Sequence, residues 1–332
     1  MDIRNTREMK AFASQRLGHA REEKRIVAIY VAITLGLSAL VTVVNYVLGL
    51  QMSDLGGLRN LSSRTMLSTL QSVIPMVQNL FIMCLSVGYM AAMLRVARGQ
   101  YVSPQTLRLG FDRFWLLMRC GIFKGFIMTG VTFVSMYLGI MLFLLTPFSK
   151  AAVEVLAPII SQISLLDTGI VIDDVTYGLL MEAMLPAFGI CGILMLILGG
   201  PMYYNFRMVN YIIIDKPAIG AMMALRESKK MMKGNRLQLL KLDISLWWYY
   251  LATGLAMLVC YGDLLLPMVG VNLPVPETVS FFGFYVLYLA ASFGIHFFLR
   301  NRAEVCYALA YDAVKPEEKQ DNGVVLGNIF RM

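Results

Sequence analysis

The chain has 332 residues, 58 % of them hydrophobic and only 15 % charged, with a formal net charge of +8 and a mean hydropathy of +0.65. A soluble domain carries about a quarter charged residues, so the composition excludes an ordinary water-soluble protein. The positive balance would suggest nucleic acid in a soluble chain, but here the cations follow the borders of apolar runs, and no nucleic-acid partner is expected.

Residues 4–20 come first. Met9, Phe12, Ala13 and Leu17 recur at three- and four-residue spacing, with Arg7, Lys10 and Arg16 between them. This predicts a short amphipathic helix lying on the inner leaflet, its cations near anionic headgroups. Six stretches without a charged side chain follow, at 26–53, 65–94, 125–149, 183–206, 244–262 and 278–299. A helix rises about 1.5 Å per residue and needs about 20 apolar residues to cross a hydrocarbon core of about 30 Å. Lipid offers no partner to a free N–H or C=O, so each run is expected to be a helix. The fold class is all-α, a polytopic bundle. It forms one six-span domain over residues 1–314, with spans near 26–50, 68–94, 125–147, 183–206, 244–262 and 278–299, and a charged tail at 315–332.

The cations set the orientation. Seven precede the first run, six separate the second and third, eight separate the fourth and fifth, and five follow the sixth. The remaining loops hold Arg59, Arg64 and Lys150 together with most of the loop acids, Asp173 and Asp174 among them. The positive-inside bias therefore puts both termini in the cytoplasm. The first run is too long for a cleaved signal segment.

Several local features refine the picture. Ser103 and Pro104 open a second interfacial helix, expected over 104–124, with Leu107, Phe111, Phe114 and Met118 as its stripe. The apolar stretch 155–166 is too short to span, so it is a surface helix or a partial re-entry. Pro186 and then Gly199, Gly200 and Pro201 predict a kink in the fourth span near position 200. Trp247, Trp248, Tyr249 and Tyr250 suit the headgroup boundary. Small pairs at Gly88/Ala92, Ala252/Ala256 and Ala290/Gly294 mark faces where helix backbones can approach.

The most distinctive stretch is 211–251. Asp215 is placed to cap a helix over 216–233, Pro217 fits its first turn, and Gly234 and Asn235 tolerate the left-handed conformation that ends it. Ala221, Ala224, Leu225, Ser228, Met231 and Met232 share one face, whereas Arg226, Glu227, Lys229, Lys230 and Lys233 occupy the other. A helix packed by its small face under the bundle follows, its basic face toward headgroups or an acidic partner. The pattern of Asp215, Pro217, Ala221, Ala224, Leu225, Ser228, Met232, Gly234 and Asn235, followed by Leu240, Leu242, Ser245 and Trp248, resembles the domain-of-unknown-function family 975. The closing AEVCYALAYDAV is similar too, so the likeness extends over the chain. That resemblance implies a multi-spanning protein of the bacterial cell membrane, with no established activity. The loop-helix pattern is also distantly similar to the membrane domain attached to some glycerophosphodiester phosphodiesterases.

Catalytic chemistry has little to stand on in the sequence. His19 and His296 stand far apart and bring no partner carboxylate inside a run, so a packed or interfacial His296 is the expectation. The five cysteines sit in or beside apolar runs without CxxC spacing, as buried thiols do. Neither a phosphate loop nor ligands at metal spacing occur, so no cofactor is expected. Gln71, Gln78, Asn79 and Asn45 are polar groups inside the first two spans. Gln78 and Asn79, at mid-run, either stitch helices together or line a substrate cavity. The leading expectation is a non-enzymatic scaffold or a component that binds lipid or another membrane protein. The alternatives are a permease-like subunit for a small or amphiphilic solute, and an accessory domain for lipid-headgroup metabolism.

Overall fold

The computed structural model describes residues 5–19, 23–54, 61–150, 152–155, 157, 174–268 and 275–315, and all regular structure among them is helical. The elements include α1 (Thr6–His19), α2 (Glu23–Asp54), α3 (Leu61–Ala97), a 3-10 turn (Pro104–Arg108), α4 (Leu109–Asp112) and α5 (Phe114–Leu144). Then come α6 (Asp174–Asn205), α7 (Val209–Asp215), α8 (Ala221–Met232), α9 (Arg236–Ser245), α10 (Trp247–Cys260) and α11 (Gly262–Met268). Last are α12 (Glu277–Ile295), a π-helical turn (His296–Arg300) and α13 (Asn301–Val314). Most of the stretch 155–166, Asp173 and the tail beyond Lys315 lie outside the described residues.

Five of these helical stretches are long and apolar enough to cross a membrane, and a sixth results if α9 and α10, bent by 60°, count as one span. Helices α2 and α3 outrun their apolar runs at both ends, because Arg, Lys and Glu are good helix formers and nothing breaks the chain where the run stops. This is an all-α architecture of the multi-pass membrane type.

The chain divides into two compact units: residues 1–117, 210–219 and 231–332 form the first, and 118–209 with 220–230 the second. In the first, α3 packs against α2, the 3-10 turn, α4 and α13, while α1 lies on α13 and α10 on α12. Tyr30, Tyr89, Met93, Tyr211, Ile212 and Tyr311 are fully buried there. Two glycines let the backbones touch. A Cβ at Gly88 would stand 2.6 Å from the carbonyl carbon of Leu107, and one at Gly110 would stand 2.7 Å from that of Cys84. The expected small pair Gly88/Ala92 thus marks a real contact face, whereas Ala290 of the third pair is exposed.

In the second unit, α5 and α6 meet where the thiol of Cys191 donates to the Met136 carbonyl at 3.9 Å. Phe143, Ala152 and Ala187 form a small buried cluster near one end. Phe126, Phe133, Leu196 and many other large apolar side chains on both helices are exposed, as lipid-facing surface would be.

Three expectations need correction. The helix placed at 104–124 is a 3-10 turn, the short α4 and a break at Arg113, after which α5 takes Arg119 and Lys124 into its own first turns. Arg113 donates to the carbonyls of Ile213 and Ile214, which holds the chain at that break. Ser103 occupies the cap position without a capping bond. The fourth span continues as helix through Gly199, Gly200 and Pro201, and the helix is interrupted at 206–208. The fifth run bends at Leu246, whose backbone leaves the helical region. Finally, the apolar stripe of α1 does not lie free on a leaflet: Met9 and Ala13 are buried, and Lys10 donates to the Ser245 carbonyl.

Candidate functional site

Asp215 anchors a polar group with three donors on its two carboxylate oxygens. It was expected to begin a helix, yet it ends α7, and α8 starts only at Ala221. Pro217 sits exposed in the intervening turn, not in a helical first turn. The helix starts late because the Asp215 carboxylate is engaged elsewhere and cannot cap. Its Oδ1 accepts from Arg98 Nη1 at 2.9 Å, and its Oδ2 accepts from Lys315 Nζ at 2.6 Å and from the Tyr311 hydroxyl at 3.1 Å.

Arg98 reaches a second carboxylate at the same time. Its Nη2 donates to Asp312 Oδ1 at 2.6 Å, and its Nε lies 3.2 and 3.1 Å from the two Asp312 oxygens. This fork geometry suits guanidinium better than ammonium. The Asp312 hydrogen bonds raise the Arg98 pKa above its ordinary value, against the opposing cost of desolvation, and Asp215 adds to the rise. Two cations and two carboxylates therefore tie together the ends of α3, α7 and α13, all within the first unit.

One helical stretch earlier, the π turn presents Arg300 to a second group. Its guanidinium lies 4.9 Å from the Tyr30 ring centre and 5.4 Å from that of Tyr89, and those two rings stack at 4.4 Å. Arg300 also pairs with Glu304 at 3.7 Å, whose other oxygen accepts from the Tyr211 hydroxyl at 3.4 Å. Asn301 donates to the buried Glu23 at 2.7 Å. Widening a helix by one residue into a π turn re-aims side chains locally, and such turns recur at functional sites. Here the turn directs Arg300 onto the stacked tyrosines. His296, in the same turn, is satisfied by the Ser292 carbonyl at 2.9 Å, in keeping with a packed histidine.

The two faces of α8 separate as the spacing predicts. Ala224, Leu225, Ser228, Met231 and Met232 are buried and Ala221 is half-buried, whereas Arg226, Lys229, Lys230 and Lys233 are exposed. Ser228 Oγ donates to the Asn205 carbonyl at 2.7 Å, an acceptor left open by the end of α6. Gly234 ends the helix at φ 91°, and the Asn235 amide returns to the Met231 carbonyl at 2.9 Å.

The mid-span amides do not converge. Gln78 donates to Ser38 on α2 at 3.0 Å, whereas Asn79 is exposed. Gln71 likewise donates to the Asn45 carbonyl at 3.1 Å. Gln78 thus bonds α3 to α2, as a stitch between helices does. Interhelical bonds of this kind contribute about 1 kcal/mol. Gln78→Leu should accordingly lower thermal stability in detergent by about that amount, and Asn79→Leu should leave it unchanged or raise it.

Among the described residues no group of three or more His, Cys, Asp or Glu could hold a metal ion. All five cysteines are free thiols, three of them buried. Sequence reasoning missed the partners of Asp215 and the surroundings of Arg300. Both lie just outside the apolar runs, where a charge reads as a topology signal. Tyr-Asp at 311–312, inside the otherwise uncharged stretch 305–314, was the available hint.

The family described as Protein of unknown function (DUF975) matches residues 1–317. No curated protein and no solved structure matches the chain. The likeness to the membrane domain of glycerophosphodiester phosphodiesterases thus gains no support.

Proposed function

We propose, for a chain that belongs to the DUF975 family, a non-catalytic role in the membrane: a scaffold whose helix α8 holds anionic headgroups of the inner leaflet. The observation that carries this reading is the split of α8 into a locked face, pinned by Ser228 on Asn205, and an open face bearing Arg226, Lys229, Lys230 and Lys233. A fixed helix presents its cations as an array, and each one near an anionic surface contributes about 1 kcal/mol.

The test uses the protein reconstituted in mixed bilayers with spin-labelled phosphatidylglycerol. Reversing Lys229, Lys230 and Lys233 together to Glu should lower the enrichment of the labelled lipid around the protein while leaving its melting temperature unchanged, because those side chains lie off the packed face. Unchanged enrichment would refute the reading. Ala224→Leu should do the opposite, costing about 1–3 kcal/mol through overpacking while the cations stay in place.

The same reading puts the basic loops and both termini in the cytoplasm. Single cysteines near Gly99 and Gly234 should react with an impermeant thiol reagent only after permeabilisation, and one near Gly57 should react in intact cells. External labelling at Gly234 would place eight cations on the wrong side and break the orientation.

A further inference from the structure

A cavity of about 570 Å³ opens between α1 and α13, both in the first unit. Glu8, Ala11, Phe12 and Gln15 line it from α1, and Leu309 and Asp312 from α13. Among the described residues of its wall two are carboxylates and none is a cation. That is unusual for a chain with 29 basic and 21 acidic residues, whose loops on this side are basic.

Glu8 is exposed, and among the described residues no cation pairs with its carboxylate. Arg98 and Arg16 come near but serve other groups. Arg98 is forked on Asp312 and bonded to Asp215. Arg16 stands 4.8 Å from the Phe12 ring centre with its Nη1 against Gly99. A carboxylate has about four acceptor sites, and the Arg98 contacts use three of those on Asp312. The wall therefore has open acceptors on both carboxylates and a net negative charge at Glu8. Ala11, Phe12 and Leu309 give it an apolar side. Apolar walls with a few polar groups, in about 300–1,000 Å³, are the make-up of a small-molecule site.

The helical stretch Thr278–Val314 carries α13 out of the sixth apolar run. Leu309 lies ten residues past Leu299, the end of that run, or about 15 Å along the axis. A headgroup layer is only about 5–8 Å deep, so the cavity opens to water.

We infer that the cleft between α1 and α13 binds a water-borne organic cation with a short apolar body, its ammonium at Glu8 and Asp312 and its body against Phe12 and Leu309. The site uses none of the α8 residues and stands independently of the role given to that helix.

Saturation-transfer NMR tests it, on the full chain in phosphatidylcholine nanodiscs with empty discs as the blank. Hexyltrimethylammonium is the probe, and hexanesulfonate carries the same chain with the opposite charge. The wild-type protein should bind the ammonium and not the sulfonate. Glu8→Gln should weaken binding about threefold, as expected for one partly solvated charge pair. Ala11→Trp, at an exposed position, should fill the cavity and abolish binding with the melting temperature unchanged. Glu154→Gln, an exposed acid in the second unit, should bind as the wild type does. Equal binding of the two probes, or wild-type binding by a folded Ala11→Trp, overturns the site. Wild-type binding by Glu8→Gln overturns the cation as its occupant.

Discussion

Gly110→Ala should cost the protein about 3 kcal/mol or more and reduce the folded fraction recovered in mild detergent. The added methyl would sit 2.7 Å from the Cys84 carbonyl carbon and 3.1 Å from its Cα, both of them backbone atoms of α3. No rotamer change relieves a collision with backbone, so α4 has to retreat from α3 along its length. Close-packed interiors forfeit dispersion contacts steeply on such a retreat, and overpacking alone costs about 1–3 kcal/mol. Gly88→Ala meets the Leu107 backbone in the same way from the other helix and should behave alike. Gly125→Ala is the control. It is a helix-interior glycine of α5 with nothing within 4 Å of the new Cβ, and alanine is the better helix former by about 1 kcal/mol. If Gly110→Ala melts with the wild type while Gly125→Ala is neutral, the tight α3–α4 approach is wrong.

That pair shows what could be read from the sequence and what could not. Gly88 stood out because small residues four apart mark close helix faces, and the face is real. Its partner was not readable, since the contacting backbone belongs to a 3-10 turn and a four-residue helix that the apolar stripe of 104–124 made look continuous. The same holds for α8. Periodicity alone separated Ser228 from Lys229 and Lys230, because a helix turns 100° per residue whatever surrounds it. Asp215, by contrast, was assigned a cap from its local context, Asp before Pro before an amphipathic run. A long-range demand overrode that context: Arg98, Tyr311 and Lys315 come from more than 90 positions away and claim both carboxylate oxygens. In a membrane chain the readable signal is hydropathy, and it is strongest where side chains meet lipid. The polar groups that decide how helix ends join are few, sit at the run borders, and have partners set by topology.

Arg98→Met should destabilise the protein by about 2 kcal/mol, second only to the glycine substitutions. Arg98 is the sole link between Asp215 and Asp312 among the described contacts, through one bond to the first and a fork to the second. Removing it leaves Asp215 with Lys315 and Tyr311 but strips Asp312 of its partner, and the two carboxylates then face each other without the cation between them. Breaking a fully buried pair costs about 3–5 kcal/mol. The side chains here are 27 %, 13 % and 30 % exposed, so solvent screening reduces the figure. Arg98→Lys keeps the charge but cannot make the fork, and should fall between the wild type and Arg98→Met. The decisive comparison is Arg98→Met with Asp312→Asn. If stranded charge is the cause, neutralising Asp312 should recover part of the loss, whereas in an Arg98 background the same change should be destabilising. That reversal of sign separates electrostatic linkage from the loss of an arginine stem that merely packs. Additive losses in the double variant would show that Arg98 serves as packing alone, and that α3, α7 and α13 are held at their ends by something other than this charge group.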